Sequence, residues 1–285
     1  MGMVKRGVMP VMLLLVVFLT SSCEKIEDFV NRTFKSEDLV NISYGIDAGN
    51  TMDVYLPAAR GINTRVVFLI HGGSWYGGDK SEFTSYANTL RSRGYAVVNM
   101  NYRLVNQAGT VHVEQQLEDL KMAVNYVWDK AAEWGISHNF GLVGASAGGH
   151  LAMLYTYANN GDDKVQTVVS LAGPTNLTDT RNASQQQMGL VIAVIGVSPT
   201  VNPQAYVNAS PIARVSASSK PTLIFHGRKD ATVAVQQSID LKATLDQANV
   251  KNKLVIYEAA GHEVINGENY ASFLSDLDSW LRENL

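Results

Sequence analysis

Cysteine is all but missing. The single residue Cys23 in 285 leaves no pair for an internal disulfide. Basic clusters are missing too: no run of Lys and Arg exceeds two residues and the formal net charge is −3. Without that electrostatic footprint nucleic acid is excluded as an expected partner. Nowhere do His, Cys and carboxylates cluster with ligand spacing. The chain also lacks a P-loop ending in Lys and Ser/Thr, and it lacks a dinucleotide fingerprint. No metal and no organic cofactor is therefore expected. Repeats and low-complexity tracts are absent, and after the N-terminus no second segment is long and apolar enough to span a bilayer.

The N-terminus holds the one long apolar run. Lys5 and Arg6 precede Val8 to Leu19, and Thr20, Ser21 and Ser22 close it. This is the pattern of an export signal over residues 1–22, with an apolar part too short for a permanent span. Cys23 follows at once. The segment resembles a bacterial lipoprotein signal, which implies that Cys23 is acylated and becomes the first residue of the mature chain. Thr20 stands where such signals usually carry Leu. The alternative is an ordinary secretory signal with an incidental cysteine. Residues 23–38 are charged and lack apolar periodicity, as expected of a tether. The resulting expectation is an exported cell-envelope lipoprotein, on the outer membrane or cell surface, held by its lipid.

The 46% hydrophobic composition of the whole chain provides for one large core, expected over residues 39–285. Short β-branched runs alternate with longer amphipathic stretches, which predicts an α/β domain: an open, mostly parallel eight-stranded sheet with helices on both faces. Strands are expected at Val40 to Tyr44, Met52 to Leu56, Val66 to Ile70, Ala96 to Asn101, Phe140 to Val143, Val165 to Leu171, Thr222 to Phe225 and Lys253 to Tyr257. Val66 to Ile70 is apolar throughout, as a central strand should be, whereas Met52 to Leu56 alternates and reads as an edge strand. Helices are expected at Glu82 to Arg93, Val113 to Trp134, Gly148 to Asn159, Gln236 to Ala248 and Tyr270 to Arg282. Gly173 to Lys220 falls outside the alternation. It carries one apolar helix, Gln186 to Val197, and predicts a small cap over a fairly open site.

The chemistry concentrates in Gly144-Ala145-Ser146-Ala147-Gly148. A G-x-S-x-G run between a strand and a helix holds its serine on a strained turn, with glycines where side chains would collide. A serine hydroxyl needs a histidine base, and that base needs a carboxylate to fix its tautomer. Of six histidines, His71 and His226 end buried strands before a glycine, where turn hydrogen bonding is expected. His112, His138 and His150 flank or begin helices. His262 lies on a loop just past the last strand and is the candidate base. Asp230, four residues past the strand ending at Phe225, is the candidate carboxylate, with Asp179 and Glu263 as weaker competitors. Negative charge on the tetrahedral oxygen requires rigid N–H donors. Gly73 and Ala147 are the candidates, with Gly72 as a third. Trp75 and Tyr76 flank this loop and can either stack on a substrate ring or pack beneath the cap.

Together His71-Gly72-Gly73-Ser74-Trp75, Gly78-Asp79, Asn101-Tyr102-Arg103-Leu104, Gly144 to Ala152, His226-Gly227-x-x-Asp230 and Gly261-His262 resemble the α/β-hydrolase esterases over roughly Val40 to Leu281. The likeness is to compact carboxylesterases related to bacterial feruloyl and acetyl esterases, and to kynurenine formamidase. It departs at Ser74, where a third glycine is common, and at Ala234, where many relatives carry proline. The resemblance implies a serine esterase acting on a small-molecule or glycan ester, with acetyl or feruloyl esters of polysaccharides as the expected class. The alternatives are an amidase or peptidase similar to the prolyl oligopeptidase catalytic domain, a formamidase, and a non-catalytic binding lipoprotein.

Overall fold

A computed structural model describes residue 2 and residues 34–159, 161, 163–179 and 184–285. The export signal, Cys23 and most of the tether lie outside the described residues. Eight strands form one sheet: β1 (Glu37–Ser43), β2 (Thr51–Leu56), β3 (Val66–Ile70), β4 (Ala96–Met100), β5 (Phe140–Ala145), β6 (Val165–Leu171), β7 (Thr222–Gly227) and β8 (Asn252–Tyr257). Their spatial order is β1-β2-β4-β3-β5-β6-β7-β8. The β1–β2 and β2–β4 pairs are antiparallel, and the remaining pairs are parallel.

Alternation along the strands divides the apolar residues between two faces. Val66, Phe68 and Ile70 of β3 join one core, and Val67 and Leu69 join the other. Complete burial of such side chains contributes roughly 1.5–3 kcal/mol each. The first core is covered by helices α2 (Val113–Trp134), α3 (Ala147–Leu154) and α6 (Val235–Gln247). The second is covered by α1 (Thr84–Ser92) and α7 (Tyr270–Asn284). In α2 the buried residues Leu120, Val124, Val127, Ala131 and Trp134 recur at helical spacing, and Gly135 ends the helix at φ 63°. The cap segment holds α4 (Gln185–Ile195), near the expected position, and a short α5 (Pro203–Asn208) that the sequence reading did not separate from the surrounding loop.

Two expectations need correction. The strand over Met52 to Leu56 is not an edge. It lies between β1 and β4, and all five residues are buried. Its alternation misled because the polar member, Asp53, is buried in an ion pair, with both carboxylate oxygens 2.7 Å from Lys80 Nζ. The fold also begins earlier than residue 39. Strand β1 starts at Glu37, and Phe34 is buried against the Arg60 guanidinium, 4.4 Å from its ring centroid. The end of the expected tether, residues 34–38, therefore packs onto the domain.

Candidate active site

The carboxyl ends of the parallel strands deliver three side chains to one point. Ser146 follows β5, and its backbone adopts φ 50°, ψ −119°, a conformation that costs of order 1–3 kcal/mol and must be imposed by its surroundings. Those surroundings are backbone. Ser146 N donates to Leu171 O at 2.8 Å and Ser146 O accepts from His150 N at 3.0 Å, so the turn is pinned to β6 and to the first turn of α3. A Cβ at Gly144 would lie 2.2 Å from Gly148 O, and one at Gly148 would lie 2.2 Å from Ile70 O. Only glycine permits both approaches.

Ser146 Oγ donates to His262 Nε2 at 2.9 Å, and His262 Nδ1 donates to Asp230 Oδ2 at 2.8 Å. The Asp230 side chain has no exposed surface. Its Oδ1 accepts from the N–H groups of Thr232 and Val233, each at 2.8 Å. Burial alone would raise this carboxyl, but hydrogen bonds from His226, His262 and Val233 outweigh it and hold the group well below the usual carboxylate range. It therefore stays ionised and fixes the His262 tautomer with the free lone pair toward Ser146.

Sequence reasoning missed one contributor. His226, expected to make turn hydrogen bonds, does donate from Nε2 to Val233 O at 2.9 Å, but the same nitrogen also lies 3.1 Å from Asp230 Oδ2. Its Nδ1 accepts from the Ser238 hydroxyl at 2.7 Å. The available signal was the four-residue spacing of His226 and Asp230 at the end of a buried strand.

The glycine loop is braced by Tyr102, Arg103 and Asn101. Tyr102 stacks on His71 with ring centroids 4.4 Å apart, and its hydroxyl donates to His71 O at 3.0 Å. Arg103 pairs with the buried Asp119 of α2 at 2.7 Å. Asn101 Nδ2 donates to Asp79 Oδ2 at 2.8 Å. Gly73 at φ 101°, Ser74 at φ 53° and Trp75 at φ 66° continue in left-handed backbone, which accounts for the glycine common at the Ser74 position. Gly72 packs behind the nucleophile, where an added Cβ would meet Ser146 Cβ at 3.3 Å. Ser74 and Ala147 line the adjoining cavity, whereas Gly72 and Gly73 do not.

Trp75 also lines that cavity, yet it is only 4% exposed and its indole N–H donates to His150 Nδ1 at 3.1 Å. It packs as a wall, and the ring-stacking role is not open to it in this position. Tyr76 is exposed and does not line the cavity. The cavity measures about 530 Å³. Ser146 and Ala147 form its floor, and Leu177, Met188, Val191, Ile192, Pro199 and Tyr206 contribute apolar walls from the cap segment. Among the described residues, no Lys or Arg lines it. Asp179, the competing carboxylate, lies on its wall, while Asp230 holds the histidine.

An open sheet whose carboxyl end carries a serine elbow, a histidine loop and a buried aspartate defines an α/β-hydrolase. Within that class a sequence profile of the BD-FAE family matches residues 52–245, and the chain belongs to this family. It is 29% identical over 234 residues to a probable carboxylic ester hydrolase, LipM, of Mycobacterium tuberculosis, covering 76% of this chain and 53% of that protein. The chain thus spans about half the length of the curated relatives it matches. Among solved structures it resembles a bifunctional GH43-CE protein of Bacteroides eggerthii at 25% identity and TM-score 0.76, covering 86% of this chain and 38% of that one. A truncated carbohydrate esterase from gut microbiota, 24% identical with TM-score 0.77, shares the fold over 87% of this chain and 96% of its own.

Proposed function

We propose that the protein is a serine carboxylic-ester hydrolase that works through an acyl-enzyme. The observation carrying this reading is the unbroken line from Ser146 Oγ through His262 to Asp230, with links of 2.9 and 2.8 Å, at the floor of a cavity. In the first step His262 Nε2 takes the Ser146 proton as Oγ attacks the ester carbonyl, and Asp230 stabilises the imidazolium. The amides of Gly73 and Ala147, with that of Ser74 beside them, receive the oxyanion. His262 then protonates the leaving alcohol. Water, deprotonated by the same nitrogen, attacks the acyl-enzyme and releases the acid.

The cavity supports a neutral and bulky acyl group. A volume of about 530 Å³ is larger than an acetyl group needs, and the walls that Leu177, Met188, Val191, Ile192, Pro199 and Tyr206 contribute are apolar. Feruloyl-type aromatic esters of polysaccharides therefore fit better than acetyl esters. The name of the relative LipM supports ester over amide chemistry. For location we propose a cell-envelope lipoprotein anchored through acylated Cys23, which the leader pattern of residues 1–22 supports.

Ser146→Ala should lower kcat by on the order of a million-fold without loss of fold, and His262→Ala by a similar factor. A fluorophosphonate probe should label Ser146 alone. Labelling elsewhere, or hydrolysis of methyl ferulate that survives Ser146→Ala, would overturn the assignment. A matched aryl ester and anilide pair tests the amidase alternative. Palmitate labelling of wild type against Cys23→Ser tests the anchor.

A further inference from the structure

The end of the sheet opposite the active site has its own recess, of about 540 Å³, and four arginines line it: Arg60, Arg65, Arg93 and Arg282. Val66 and Ala96 are register partners at the start of β3 and β4. Arg65 and Arg93 therefore sit before the first residues of parallel strands, whereas Ser146 follows the last residue of β5. Arg60 is matched by Glu37 at 3.1 Å. Arg93 and Arg282 share the one carboxylate of Asp278, at 3.7 and 3.0 Å. Arg65 faces no carboxylate among the described residues. One of its amino groups donates to the Arg282 carbonyl at 3.3 Å, and its Nε is buried with no hydrogen-bond partner. Among the described residues, four guanidinium groups thus face two carboxylates, in a chain whose net charge is −3.

A partnerless guanidinium N–H beside surplus positive charge calls for an oxyanion, which a guanidinium fork binds through paired N–H donors. The route of the chain identifies which one. Phe34 lines the same recess, and Cys23 lies eleven positions before it, a reach of at most about 40 Å. Ile62, on the rim, is 64% exposed and offers an apolar tip to an interface. We propose that this arginine recess docks on a membrane and takes the phosphate of an anionic phospholipid headgroup beside the anchor. The proposal rests on the lipid anchor for its orientation. Docked this way, the active site at the opposite end of the strands faces away from the bilayer and stays open to a large substrate.

The test is co-sedimentation of the full-length protein with dilute vesicles of phosphatidylcholine alone or mixed with phosphatidylglycerol, comparing wild type with the Arg65→Gln/Arg93→Gln/Arg282→Gln variant. Insertion of the lipid anchor contributes equally to both vesicle types, so only the difference between them reports the recess. Each guanidinium at an anionic leaflet strengthens partitioning roughly fivefold, so two uncompensated charges should favour the anionic vesicles about 30-fold in wild type. The preference should vanish in the triple variant and in raised salt, with ester hydrolysis unchanged. Arg65→Gln, which breaks no ion pair, should alone remove about fivefold. Equal partitioning of wild type between the two vesicles would overturn the proposal, as would a preference that survives the triple variant. Competition by inorganic phosphate as strong as by phosphatidylglycerol vesicles would also overturn it, assigning the recess to a free anion. Loss of binding to both vesicle types on Cys23→Ser, with wild type still preferring the anionic ones, separates the anchor from the recess.

Discussion

A Cβ added at Gly148 would lie 2.2 Å from the Ile70 carbonyl oxygen, whereas one added at Gly189, in the helix over the site, would meet nothing within 4 Å. The two glycines belong to neighbouring regions built in different ways. At the elbow, backbone meets backbone, and the strained Ser146 is held by contacts that cannot give. The cap is joined to the domain by side chains. Gln187 Nε2 donates to Thr232 O at 2.7 Å, Thr175 Oγ1 donates to Gln237 O at 2.9 Å, and Gln237 Oε1 accepts from Thr175 N at 2.8 Å. Side-chain tethers can be exchanged without moving the backbone, so the cap is free to vary its apolar face while the elbow holds the reacting atoms fixed.

Gly148→Ala attacks the rigid side of this comparison and should have the largest effect on stability. The helix would have to back away from β3, an overpacking that costs about 3 kcal/mol or more. For a domain of this size that lowers the melting temperature by roughly 6–12 °C, and calorimetry would read it. An unchanged melting temperature would mean that the elbow is as yielding as the cap.

His150 links the two regions, accepting from Trp75 at the loop and donating to Ala209 O of the cap segment at 2.8 Å. Burial lowers its pKa from 6.5 to about 4, and the ring is neutral in the folded protein. The unfolded chain binds the extra proton between these values, so stability is complete above about pH 6.5 and is lost as the pH falls toward 4, by about 3 kcal/mol in all. His150→Gln should flatten that slope in urea titrations run across the window. A slope unaffected by the substitution would assign it to other groups.

Substitution in the cap should act on selectivity. Val191 lines the cavity from α4, and Val191→Trp should lower kcat/KM for methyl ferulate about tenfold relative to p-nitrophenyl acetate. An equal fall for both esters would place the damage at the elbow.

The same division decides what the sequence makes legible. Backbone collisions admit only glycine, so Gly144 and Gly148 mark the elbow in the letters themselves. The order Ser146, Asp230, His262 follows from where each falls past its strand. Val66 to Ile70 is readable because both faces are apolar. The polar residues that take part in tertiary contacts are not readable. Asp53 looked like the solvent side of an edge strand because its partner Lys80 is 27 residues away. His226 looked like a turn residue because its approach to Asp230 depends on how the chain bends after β7. Trp75 stayed open between stacking and packing because its partner His150 lies on a helix 75 residues later. The short helix Pro203–Asn208 has too few residues to show a period.

Gly189→Ala is the mildest of these changes and tests the yielding side. The position is exposed in the middle of α4, between Met188 and Leu190, which both line the cavity. Glycine there costs the helix about 0.5–1 kcal/mol relative to alanine through the extra freedom of the unfolded chain. With nothing within 4 Å of the new methyl group, the substitution should return that energy, raising the melting temperature by roughly 1–4 °C. Because the methyl group points to solvent, the ratio of ferulate to acetate hydrolysis should not move. Slower amide hydrogen exchange along α4 would show the gain to be local. A fall in stability would reveal a close backbone approach over the cap, and the contrast with Gly148 would then be one of degree only.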